Sequence, residues 1–117
     1  MKTLKLVKND EVLCPVVEDA SSFFTRFMGL MYRKSMPDKN GLLLTPCNEI
    51  HTFGMKFDID TVYISKNDEI VFIDPAIKPH KVRRRVSNAY KVLELNANTA
   101  EKLGLCVGDK LSFENNS

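Results

Sequence analysis

The chain has no apolar run approaching the roughly 18 residues of a membrane span, which removes a helical transmembrane protein from consideration. It has no Cys-x-x-Cys pair. Its three cysteines, Cys14, Cys47 and Cys106, are odd in number and far apart, which argues against a disulfide framework or a zinc knot and for reduced thiols. It has little excess charge: 17 Lys and Arg against 15 Asp and Glu leave +2, so any anionic partner must be recognised by a local patch. No glycine-rich phosphate cradle precedes a helix, and there is no internal repeat or low-complexity segment. The start, Met1 to Asp10, lacks the apolar core of a secretory leader, so a cytoplasmic protein is expected. What remains is a single domain, 1–117, long enough to bury roughly two-thirds of its unfolded surface.

The patterning is of short strands and frequent turns. Leu4–Val7 and Val12–Val17 flank a polar turn as a hairpin. Phe23, Phe27, Leu30 and Met31 recur at helical spacing behind capping serines, which predicts an amphipathic helix over 21–31. Strands are expected at 42–45, 50–55, 57–65, 70–73, 89–95 and 111–113, with Gly54 marking a kink. The proline-punctuated stretch 74–88 reads as a loop, Asn98 as the cap of a helix over 99–103 closed by Gly104, and 114–117 as a flexible tail. The expected fold is mainly β: a compact sandwich or partly closed barrel with two short helices.

Site chemistry concentrates in the window from Cys47 to Asp60. Cys47, His51 and Met55 fall four residues apart. In a straight strand that separation is about 13 Å, too long to share one metal, so only a bend would converge them on a soft, copper-type ion. Cys47 and His51, with Asp60 or Glu49 to orient the imidazole, are also the candidate catalytic set of a thiol hydrolase or transferase. Asp60 lies in a strand that is apolar on both sides and needs a partner; Arg26 is the expected one, as a structural ion pair. Further on, Lys78, Lys81, Arg83, Arg84 and Arg85 put five fixed positive charges, with His80, into eight positions and no acid among them.

An ordered series runs through these elements: Arg26-Phe27, Gly29-Leu30-Met31, Gly41 to Leu44, Cys47, Ile50 to Met55, Ile59-Asp60, Val92-Leu93-Glu94-Leu95, Gly104-Leu105 and Gly108-Asp109. From about 23 to 113 it resembles the bacterial and archaeal family known as domain of unknown function 192. The resemblance implies a compact β-rich fold and carries no assigned reaction. Where the family often has proline before Ile-Asp, this chain has Asp58.

The favoured expectation is a non-enzymatic, cytoplasmic binding domain for a small anionic ligand or an acidic protein partner. Its site would be lined by His51, Thr52, Met55, Lys78, His80, Lys81, Arg83, Arg84 and Arg85. A Cys/His enzyme and a soft-metal protein are the alternatives. No cofactor is implied, the missing aromatic interleaving of the basic stretch argues against nucleic acid, and oligomeric state is left open.

Overall fold

A computed structural model describes residues 2–22, 25–26, 29–31 and 33–116. The elements are β1 (Thr3–Lys8), β2 (Glu11–Ala20), β3 (Asn40–Leu44), β4 (Ile59–Ile64), β5 (Ile70–Ile77), β6 (Lys91–Asn96), α1 (Thr99–Lys102) and β7 (Ser112–Asn115). The strands form one seven-stranded mixed sheet in the order β5-β4-β6-β3-β2-β1-β7. Neighbours are antiparallel except β2 and β3, which run parallel. The sheet does not close, but its ends meet at one corner. There Ile70 N–H donates to Asp109 O (2.9 Å), Gly108 N–H to Ile70 O (2.8 Å) and Leu111 N–H to Asp68 O (2.8 Å).

The β1–β2 turn places Asn9 and Asp10 at φ 51° and 64°, the paired left-handed conformation that suits a two-residue hairpin and that these residue types tolerate. β2 continues past the expected Val17 to Ala20, because Val16 to Ala20 pair with Asn40 to Leu44 of β3. A parallel pair needs a crossover, and the segment 21–39 supplies it. Within the crossover, Ser22 and Thr25 cap each other: Thr25 N–H donates to Ser22 Oγ and Ser22 N–H to Thr25 Oγ1, both 3.1 Å. The helical turn begun there ends at Gly29, at φ 46°, instead of continuing to Met31. Phe23 and Phe27 of the expected helix lie outside the described residues.

Three more boundaries differ from expectation. Residues 50–55 are not a sheet strand. They pair with the basic segment as a narrow ribbon, through Thr52 N–H to Lys81 O (2.8 Å), Arg83 N–H to Ile50 O (3.1 Å) and Val86 N–H to Asn48 O (2.8 Å). Their hydrogen-bond partner is polar in sequence, which is why the pairing is hard to foresee. β5 runs through Pro75 to Ile77, tolerable because it is an edge strand. In the tail, Glu114 and Asn115 pair with β1, and Asn116 Nδ2 donates to Pro15 O at 2.8 Å.

Alternation along the strands divides the interior in two. Leu43, Val62, Ile64, Leu93 and Leu95 face one side with Leu4, Leu6 and α1's Ala100. Leu42, Leu44, Ile59, Tyr63 and Val92 face the other, covered by Leu30, Met36, Ile50 and Met55. The second face carries the site.

Candidate functional site

A cavity of about 240 Å³ opens between the second face of the sheet, the crossover and the 46–55 segment. Its walls are apolar, from Leu30, Met31, Leu44, Ile50 and Met55, with Arg26, Glu49 and His51 supplying polar groups and Glu94 reaching it from the sheet. Two backbone features give it shape. Gly54, at φ 79°, turns the chain beneath Met31, whose Cε a side chain there would meet at 3.2 Å. Gly29, also left-handed, presents no side chain beside Glu94; a Cβ would stand 3.8 Å from Glu94 Oε1.

Glu94 is the residue that sequence reasoning missed. It is central in β6, opposite Leu42 of β3 and Thr61 of β4, on a face that is mostly apolar. It is 4% exposed. Burial raises its carboxyl to about 7, opposed by the positive charge of Arg33. Arg33 itself grips Glu18 with both terminal nitrogens, at 2.6 and 3.0 Å. The signal was present: an acid between apolar residues in a strand buried on both faces, the same reasoning that singled out Asp60.

Asp60 is not part of this cavity. It sits on the opposite face with Val62 and Ile64, where its carboxylate accepts Ala76 N–H (2.9 Å), Asn98 N–H (3.1 Å) and Ala100 N–H (2.9 Å). The expected Arg26–Asp60 ion pair is therefore not formed. A strand's successive residues point to opposite sides, so a partner on the cavity side cannot reach it. The Asp60 carboxylate instead caps α1, whose Asn98, at φ 71°, makes no side-chain cap bond. Arg26 donates from Nε to Ser22 O (3.3 Å) and from Nη1 to Pro46 O (3.1 Å), which fixes the guanidinium at the cavity.

Cys47, His51 and Met55 do line one cavity, since the chain bends where a straight strand would have separated them. Cys47 is not poised as a nucleophile. Its Sγ donates to Glu49 O at 3.2 Å, and burial pushes the thiol up to about 11. His51 is exposed, and its Nδ1 accepts Phe53 N–H at 3.3 Å. Asp60, on the far face, does not orient it. Among the described residues no three His, Cys, Asp or Glu side chains are grouped to hold a metal.

The expected anion site divides in the same way. Thr52 is buried, and its hydroxyl is consumed by Lys78 O (2.7 Å) and Lys81 N–H (2.8 Å), so it ties down the ribbon. The basic run is partly neutralised by acids distant in sequence: Lys78 Nζ meets Asp58 at 3.2 Å and Arg83 Nε lies 3.1 Å from Asp74 Oδ2. The latter is within ion-pair range but not aligned as a hydrogen bond. Arg83 and Arg84 border a second concavity with Tyr63, Phe72, Asp74 and Val82. His80, Lys81 and Arg85 are exposed, and none of the basic run lines the first cavity.

A family model described as uncharacterized ACR, DUF192, matches residues 5–113. The chain belongs to the DUF192 family. The match reaches further toward the amino terminus than the motifs suggest, taking in β1 and β2. A Sinorhizobium meliloti protein described as a candidate transcription regulator shares the fold of this DUF192 chain at TM-score 0.80 and 26% identity, over 96% of this chain and 92% of its own. A protein of unknown function from Novosphingobium aromaticivorans also superposes at 0.80, with 19% identity over 94% of this chain and 83% of its own, a likeness of fold alone. No curated protein matches. Of the residues that carry the family resemblance, Arg26, Gly29, Leu30, Met31, Cys47, Ile50, His51, Met55 and Glu94 all line the first cavity of this DUF192 domain.

Proposed function

We propose that this DUF192 protein is a non-enzymatic binding domain for a small molecule with an apolar body and an anionic group, seated in the cavity with Arg26 as the anion's partner. The observation that carries the reading is the meeting of the family-resemblance residues, distant in sequence, at one concave site. Concave, mostly apolar sites with a few placed polar groups are the usual form of ligand pockets. Arg26 is half-buried and held by two carbonyls, so less side-chain freedom is lost when it grips a carboxylate. The protonated state of the Cys47 thiol supports binding over thiol catalysis.

A thermal-shift panel of small carboxylates, phosphates, sugars and nucleotides tests this on wild type beside Arg26→Gln. Ligand at about 100 times its dissociation constant adds roughly 2.7 kcal/mol, a shift of many degrees in a domain this small. Stabilisation by carboxylates that Arg26→Gln abolishes is the expected result; equal shifts in both proteins contradict it.

A second reading, an acidic macromolecular partner, draws support from exposed Lys81, Arg84 and Arg85 beside exposed Val82 and Phe53. The Sinorhizobium meliloti protein is described only as a candidate transcription regulator, and DNA is the acidic partner to test first. Three phosphate contacts would give a logarithmic salt slope of about −3, and a flat salt response of any DNA binding would dismiss this reading.

A further inference from the structure

We infer that the cavity's ligand is a zwitterion, a carboxylate-bearing molecule that also presents a protonated amine to Glu94, in the manner of an amino acid with an apolar side chain. The inference rests on the function proposed above and deepens it. Among the described residues four polar or charged ones are buried: Thr52, Asp60, Thr61 and Glu94. The first three are accounted for within the fold. Thr52 bonds the ribbon, Asp60 accepts three backbone amides, and Thr61 donates to Asp74 O at 3.4 Å. Glu94 is the exception: no hydrogen bond reaches its carboxylate from the described residues, and Arg33 is committed to Glu18. Buried polar groups are as a rule paired, so a carboxylate that lines a cavity and has no hydrogen-bond partner among the described residues suits a partner from outside.

That partner's chemistry follows from the surroundings. Leu44 and Leu30 line the cavity with Glu94, and Gly29 presents no side chain beside its carboxylate. An ammonium there makes charge-assisted hydrogen bonds to a carboxylate that otherwise suffers burial uncompensated. Arg26 on the same cavity requires the opposite charge, so a plain carboxylate leaves Glu94 unserved and a plain amine leaves Arg26 unserved. The apolar walls take the hydrocarbon side chain.

Among the described residues, the charged and titratable groups around Glu94 are Arg33 from the crossover, Tyr63 from β4, and Cys47, Arg26, Glu49 and His51 around the cavity. Among them Arg33 is the one that favours the ionised form of Glu94, which burial holds near pH 7. Amine binding requires that ionised form. The advantage of an amine is therefore full above that value and shrinks as pH falls below it, with a proton released on binding.

The test is titration calorimetry on the whole chain with leucine, methionine and phenylalanine. Each is paired with the acid of the same carbon skeleton lacking the amine, at pH 8 and pH 6, on wild type and Glu94→Gln. The amino acids should bind wild type at pH 8 about tenfold or more tighter than their amine-free partners. The gap should narrow at pH 6 and vanish in Glu94→Gln. Equal affinity of the paired compounds on wild type overturns the zwitterion inference while leaving an anion-binding cavity standing. Binding of neither set overturns both. Should Glu94→Gln not fold, the wild-type comparison at two pH values decides alone.

Discussion

Glu94 and Asp60 are both carboxylates in the middle of buried strands, yet they do opposite things. Asp60 collects three backbone amides and ties α1 and the end of β5 to the sheet. Asp60→Ala strips acceptors from three amides and should lower stability by roughly 3 kcal/mol or more, read by urea denaturation. Glu94, buried in the cavity face, is held from its ordinary 4.5 up to about 7. Because the folded value is raised, folding favours the protonated acid. That contribution is present in full below about pH 4.5 and is lost as pH rises to about 7, a loss of roughly 3 kcal/mol. Glu94→Gln should therefore be more stable than wild type at pH 8 and match it near pH 4.5, in thermal melts across that range. A side chain that weakens the empty protein is what a binding site demands when function and stability conflict. Cys47 gives a third prediction: at pH 8 iodoacetamide should modify exposed Cys106 and leave Cys47 unreacted, as mass spectrometry of the folded protein would record.

The ribbon of 48–52 against 81–86 is the element on which the cavity's outer wall depends. Its key fastening is Thr52 Oγ1, which accepts Lys81 N–H and donates to Lys78 O. Thr52→Val keeps the volume and removes both bonds. It should cost about 1–3 kcal/mol and sharply raise amide hydrogen exchange at Lys81, leaving the β4–β6 ladder protected. At this scale the sequence was legible where a pattern is local. The Asn9-Asp10 hairpin turn, the Ser22 cap, the kink at Gly54 and the helix stop at Gly104 all lie where turn chemistry puts them. It was illegible where the partner is remote. Nothing in Glu18-Asp19-Ala20 reveals a parallel neighbour about 24 residues on, and nothing in the basic run reveals Asp58 and Asp74 as counter-charges. Asp60 needs a partner, and Arg26 was the expected one. Their pairing failed because a face assignment requires the register of β4, which the sequence alone does not supply.

For the whole molecule, one curled sheet has two differently used faces. The face with α1 is a packed core, and the other carries a cavity whose walls come from the crossover, the 46–55 segment and β6. The crossover exists because β2 and β3 are parallel, so the topology itself supplies the cover under which a ligand fits. Among the described residues no helix is long and apolar enough to cross a membrane. On the reading above, the ligand enters this cavity and not the basic ribbon. An amide chemical-shift titration of the ¹⁵N-labelled chain with the apolar amino acids separates the two sites. Saturable shifts are expected at Gly29 to Met31, Cys47 to His51, Met55 and Glu94. Shifts confined to Lys81–Arg85, or none at millimolar amino acid, would overturn the assignment.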